Sequence, residues 1–304
     1  MKRLRFRAAD AGRRGLLASP PMPAAFERSR GRLQSSRAQA AHSFGKQFDP
    51  MPRRHYGFIL TSLVMRDFRI RYRNMSLGVF WSLLNPLVMM AVLTFIFTYI
   101  FPNPGIRNFH VFVLCGIVPY QFFSLALVAG TLSIYNNAAL VKKVVLPREV
   151  LPVSTVLAIS LHLCIQIGLL LALALAAGYR PNAYWARLPL VFGLEVVFVC
   201  GLALITSALD VYFRDVRYLV ESGNMLLFWL VPVFYSFDSI PERFRALYQY
   251  NPIAAVVLAC RHILLEGIEP PSGLMFKLAL VSSLFLLLGF VVFGRLKRNF
   301  SDYL

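Results

Sequence analysis

From Leu77 to Phe101 the chain runs without a single charged residue, and the run is entered directly from the basic stretch Arg66-Asp67-Phe68-Arg69-Ile70-Arg71-Tyr72-Arg73. At about 1.5 Å per residue, a helix of that length measures about 37 Å, more than the roughly 30 Å of a bilayer's hydrocarbon core. The arginines at its start hold that end on the cytoplasmic side. The feature predicts a polytopic membrane protein. Function is therefore sought in what enters or crosses the bilayer.

Composition agrees: 58% of the residues are hydrophobic, against about 45–50% in soluble domains. A formal net charge of +18 raises the question of nucleic acid, but more than half of the 32 lysines and arginines precede the first apolar run. That placement fits positive-inside bias and contact with anionic membrane lipids, so no nucleic acid partner is expected. Cys115, Cys164, Cys200 and Cys260 are far apart in apolar segments. They form no C-x-x-C pair and no zinc spacing, so they read as small packing residues and no metal site is expected.

Residues 1–50 are rich in Arg, Ala, Ser and Pro, contain no secretory signal, and are expected to be a disordered basic extension. A tail and a true start at Met51 both stay open; an organellar transit peptide is the weaker alternative. Residues 51–76 form an amphipathic segment, 77–294 the membrane domain, and 295–304 a cytoplasmic tail. Six spans can be read in the membrane domain: Leu77–Phe101, Phe109–Tyr135, Leu151–Ala177, Leu188–Leu209, Tyr218–Tyr235 and Leu274–Gly294. An even number puts both termini on one side. Charge supports that side being the cytoplasm. The N-terminal arginines, then Lys142, Lys143 and Arg148, then Arg214 and Arg217, then Arg295, Lys297 and Arg298 fall on it. The outer loops carry Arg107, Arg180 and Arg187. In the long outer loop Arg243, Arg245 and Arg261 are offset by Asp238, Glu242, Glu266 and Glu269.

Two apolar segments do not read as spans. From Tyr56 to Arg73, Ser62, Arg66, Arg69 and Arg73 share one helical face, with Tyr56, Ile59, Leu60, Leu63, Val64 and Phe68 broadly opposite. Arg71 breaks the apolar face. A helix of this kind lies in the interface, charges toward water and headgroups. Ile253 to Leu265 is too short to cross, follows Asn251-Pro252, and contains Arg261 and His262. It predicts a re-entrant or interfacial hairpin on the outer side, whose backbone, where it turns back at depth, must be buried in protein or line a wet cavity. The fold class is therefore an all-α membrane protein: six transmembrane helices, an N-terminal interface helix and this hairpin.

Chemistry-bearing residues are few. The chain has no G-x-x-x-x-G-K-[ST] phosphate loop. Glu195 is the clearest intramembrane acid; a charge at that depth costs about 2.5–3.5 kcal/mol on insertion scales, so it is expected to have a partner or a wet surface. The chain carries 26 Phe, 13 Tyr and 3 Trp. Phe95, Phe97, Tyr99, Phe122, Phe123, Phe228, Trp229 and Tyr235 are candidates for a channel lining, because flat apolar rings suit a sliding sugar polymer. A lipid-facing aromatic belt is the plainer alternative. Asn136 to Val150 reads as a short helix ended by Pro147, with Leu140, Val141, Val144 and Val145 on one side and Lys142 and Lys143 on the other. Together with Asp210 to Arg217, it suits docking of a partner.

Several motifs resemble one family. They are Arg66-Asp67-Phe68-Arg69-Ile70-Arg71-Tyr72-Arg73 leading into Leu77-Gly78 and Trp81-Ser82-Leu83-Leu84-Asn85-Pro86-Leu87; Gly116-Ile117-Val118-Pro119-Tyr120; Val144-Val145-Leu146-Pro147-Arg148-Glu149; Tyr212-Phe213-Arg214-Asp215-Val216; and Asn251-Pro252 with Arg261 and Gly267. Their order and spacing resemble permease subunits of ABC-type polysaccharide and polyol-phosphate exporters, a type-2 group serving O-antigen, capsule and teichoic acid export. The resemblance covers roughly residues 56–294. It implies a bacterial cytoplasmic-membrane homodimer moving a lipid-linked glycan through a channel between subunits. It also implies a separate ATP-binding subunit that holds ATP and Mg, leaving this chain no cofactor and no catalytic residue. By the same resemblance, Val144, Leu146, Pro147, Arg148 and Glu149 form the first ATPase contact, and Tyr212 to Asp215 marks the second, with Phe213, Arg214 and Asp215 as its docking residues. Arg66, Arg69 and Arg73 would meet the lipid diphosphate at the entrance, since arginine forks match phosphate oxygens; general lipid attraction is the alternative. Other cargo, a drug or simple lipid, stays open. So does a membrane enzyme acting on lipid-linked sugars, although His42, His55, His110, His162 and His262 are dispersed with no acidic cluster beside them. A proton-driven carrier would predict inverted repeats, which the sequence lacks.

Overall fold

The computed structural model of the protein describes residues 54–72, 80–101, 105–143, 146–297 and 300. The fold below belongs to the compact unit Tyr56–Leu304; of the other unit, Met1–His55, only Arg54 and His55 are described. Among the described residues every regular element is helical. Five helical segments are long and apolar enough to cross a bilayer: Ser82–Ile100, Phe109–Thr131, Val150–Ala176, Ala183–Tyr212 and Ser272–Leu296.

In chain order α1 is Arg54–Tyr72, α2 Phe80–Phe95 with a π-helical continuation Ile96–Ile100, and α3 Phe109–Thr131. Two short helices follow, α4 Ser133–Asn136 and α5 Ala138–Lys143, before α6 Val150–Ala176 and α7 Leu188–Tyr212. Then come α8 Val216–Leu230, α9 Glu242–Tyr250 and α10 Pro252–Arg261, and α11 Ser272–Leu296 closes the bundle. α3 is its centre: 78% of its apolar window is buried, against 11% for α2. It packs on α2, α6, α7 and α10. α7 and α11 cross at two glycines. A Cβ at Gly289 would lie 2.5 Å from the Gly201 carbonyl oxygen, and one at Gly201 would lie 2.5 Å from the Phe285 carbonyl. Membrane helices lack a hydrophobic drive toward each other, so small residues that admit backbone contact set such crossings.

The fifth expected span differs. α8 stops at Leu230, and Val231 is extended (φ −80°, ψ 136°). Pro232 is the reason: it cannot donate to the helix, and its ring pushes the preceding residue out of the α region. The 15-residue helix is about 22 Å long. The irregular backbone that follows is buried, with Val231 and Val233 both 0% exposed.

α1 packs on the helical bundle. Ile59, Leu60 and Leu63 pack on Leu140, Leu146, Val150 and Leu151, while Phe58 and Ile70 stay exposed. The helix is docked on the start of α6.

Candidate functional site

The two segments expected to meet a partner converge on one place, the end of α11. Leu146–Glu149 is the turn before α6; Val144 lies outside the described residues. The Val150 N–H donates to the Pro147 carbonyl at 3.0 Å, which starts the helix. Arg148 Nη1 donates to the Lys297 carbonyl at 2.6 Å, and its guanidinium lies 5.8 Å from the Phe300 ring centroid. Lys297 Nζ donates to Glu149 Oε1 at 3.2 Å. From the second segment, the Tyr212 hydroxyl donates to the Leu296 carbonyl at 2.7 Å, and its ring meets Phe300 edge-on at 6.0 Å. Asp210 accepts both Arg217 Nε and Nη2, at 3.2 and 3.1 Å, and Arg217 covers the Tyr135 ring. Phe213, Arg214 and Asp215 are left exposed at the tip. Sequence reasoning placed Tyr212 in the second segment but missed Lys297 and Phe300 as part of this joint. Their partners are more than 80 positions away in the chain, beyond any local pattern.

The α1 arginines separate. Arg66 binds Asp67 Oδ1 at 2.7 Å and Asn137 Oδ1 at 2.9 Å, so it fastens α1 to the α4–α5 link. Arg69 is exposed, and Arg73 lies outside the described residues. Arg71, the residue that broke the apolar face, lines a cavity of about 600 Å³ between α2, α3, α6 and α8.

The aromatic candidates also separate. Phe95, Tyr99 and Trp229 are exposed on the bundle surface. Phe97 stacks on Phe234 at 5.4 Å, and Phe228 meets Tyr120 edge-on at 5.2 Å. Tyr235 is half-buried, its hydroxyl donating to the Leu230 carbonyl at 3.0 Å. Phe122 and Phe123 are each 1% exposed and fill the subunit interior, so they face no surface of this chain.

On the opposite side α10 is wholly buried from Ile253 to Arg261. The Asn251 side chain caps it by accepting the Ile253 N–H at 3.1 Å, with Pro252 at the first position. Arg261 donates to the Val233 carbonyl at 2.8 Å and the Tyr235 carbonyl at 3.3 Å. Its guanidinium carbon is 3.5 Å from the Phe112 ring centroid. Glu195 departs from expectation: it is 1% exposed, and neither carboxyl oxygen has a hydrogen-bond partner among the described residues.

Residues 60–265 match the model of the ABC-2 type transporter family, and the chain belongs to that family. It is a multi-pass membrane protein of the permease kind. The chain is 31% identical over 247 residues to the O-antigen export system permease protein RfbA of Klebsiella pneumoniae, covering 81% of this chain and 95% of that one. To the protein of the same name from Myxococcus xanthus it is 30% identical, with the same coverage. To the polysialic acid transport protein KpsM of Escherichia coli it is 26% identical, over 68% of this chain and 81% of that one.

Proposed function

We propose that this chain is the membrane subunit of an ATP-driven exporter of a lipid-linked polysaccharide in the bacterial inner membrane. The observation that carries the reading is its similarity to O-antigen export permeases along 95% of their length. The absence of a phosphate loop from the sequence supports a separate ATP-binding subunit, which would hold ATP and Mg²⁺. That subunit docks at the joint of Leu146–Glu149, Phe213–Asp215 and the end of α11, with Val144 completing the first contact. ATP-driven closure of the partner shifts this joint and biases two copies of the chain between closed and open states. The exposed rings Phe95, Tyr99 and Trp229 line the path between the copies, and Arg69 and Arg73 attract the lipid phosphate at the entrance.

In this reading α8 and the chain through Tyr235, buried at Val231 and Val233, together make the fifth crossing and α11 the sixth, so both termini are cytoplasmic. α9 and α10 form a re-entrant outer hairpin. Ten residues of α10, about 15 Å, are too short to cross, and burial of irregular backbone in protein is what the bilayer demands there. The test is a deletion strain: glycan should accumulate in the cytoplasm, and an ATP-binding subunit should copurify with the restored chain. Normal surface glycan in the deletion strain would overturn the reading.

A further inference from the structure

The cavity at Arg71 carries an assignment of its own. Its wall includes Asn85 from α2, Gln121 and Ser124 from α3, and His162 and Gln166 from α6. Side chains of this kind are costly at bilayer depth unless they meet polar groups. Gln166 is 3% exposed; its Nε2 donates to the Ser82 carbonyl at 3.3 Å, and its Oε1 has no hydrogen-bond partner among the described residues. Ser82 of α2 adds a hydroxyl, and the rest of the wall besides Arg71 is apolar or aromatic, including Met89, Ile117, Tyr120 and Phe228.

This combination selects a ligand class. Amides and hydroxyls both donate and accept, as sugar hydroxyls do. Aromatic and aliphatic surface suits the C–H face of a sugar ring. No carboxylate lines the cavity among the described residues, which disfavours a cation. The single fixed positive charge is the Arg71 guanidinium, a fork suited to phosphate oxygens. We propose that the cavity is a subsite for a lipid-anchored sugar phosphate, with an uncharged sugar ring against Asn85, Gln121 and Gln166 and its phosphate at Arg71. The proposal rests on the export reading and adds to it a recognition site within one subunit.

The test uses the full-length chain in nanodiscs, titrated with decaprenyl phosphoglucose and with decaprenyl phosphate under native mass spectrometry. The wild type should bind the glucose-bearing lipid roughly tenfold tighter, the value of one or two net hydrogen bonds. Gln121→Leu and Gln166→Leu should lose that preference while binding the bare phosphate lipid unchanged. Arg71→Gln should weaken both lipids. Met89→Trp, which narrows the cavity from α2 with an apolar ring, should abolish the preference even if a glutamine variant fails to fold. Equal affinity of the wild type for the two lipids would overturn the subsite, as would a preference that survives in Met89→Trp. Displacement of the glucose lipid by equimolar free glucose 1-phosphate would overturn the lipid-anchored assignment. The binding ratio is independent of the deletion-strain assay: glycan export with no preference sinks the cavity alone, and a preference with normal glycan in the deletion strain sinks the export reading alone.

Discussion

Arg261 stands over Phe112, its guanidinium carbon 3.5 Å from the ring centroid, and from there reaches the carbonyls of Val233 and Tyr235. One side chain thus supplies donors to the backbone that Pro232 released from helix. Gly116 completes the arrangement, because a Cβ there would lie 2.8 Å from Val233 Cα. Replacing Arg261 with Met should leave buried carbonyls unpaired at about 1–3 kcal/mol each. Arg261→Met is expected to lower the thermal midpoint of the purified protein and expose the segment after α8 to protease. Arg261→Lys should recover only part, since an ammonium cannot reach several acceptors from one plane. An unchanged midpoint in Arg261→Met would show that the backbone is held otherwise.

The glycine crossing of α7 and α11 gives a second expectation. Gly201→Ala and Gly289→Ala each place a methyl against backbone 2.5 Å away, which cannot rotate aside. Overpacking of this kind costs about 1–3 kcal/mol. Both variants should accumulate less in membranes and unfold at lower temperature. Gly193→Ala, on the same helix with open space around its Cβ position, is the control that should behave as wild type.

These particulars mark how far the sequence could be read. The five long crossings were legible because apolar length and flanking charge act locally. The capped start of α10 was visible in Asn251-Pro252, since both signals sit within one turn. The helix read to Tyr235 ends at Leu230, because hydropathy sums over many residues and ignores Pro232, whose effect is on backbone geometry. Arg71 looked like a flaw in an amphipathic pattern, yet it lines the cavity at α2, α3, α6 and α8. Helical periodicity gives a face; only tertiary packing says what that face meets. The joint at Lys297 was not legible at all, because Arg148 and Lys297 are 149 positions apart.

That joint leads to the third expectation. In the export reading, force from the ATP-binding subunit reaches α11 through Arg148, Tyr212 and Phe300. Arg148→Ala and Phe300→Ala should preserve ATPase activity in the purified complex while lowering export at least several-fold. Phe213 is 66% exposed at the tip of the second segment, so Phe213→Ala should instead reduce recovery of the ATP-binding subunit. Parallel loss of ATPase activity and export in Phe300→Ala would count against transmission through α11. The two readouts, ATP hydrolysis and surface glycan, separate docking from transmission.

Glu195 supplies the fourth. Its two carboxyl oxygens make no hydrogen bond among the described residues, so an amide of the same shape loses no contact there. Glu195→Gln should therefore lower stability only by what its unpaired buried amide N–H group costs, about 1–3 kcal/mol. Export should be unchanged from pH 6 to 8, within the range of roughly pH 5–8 where folded proteins tend to be most stable. Glu195→Lys should fail to accumulate, because it places a longer side chain and an unpaired cation in a site that is 1% exposed. The pair also bears on the energy source. A carrier driven by protons needs this acid to exchange one, and glutamine cannot. A pH-dependent loss of export in Glu195→Gln, with ATPase activity intact, would therefore give the carboxyl a transport role that its isolation in the bundle argues against.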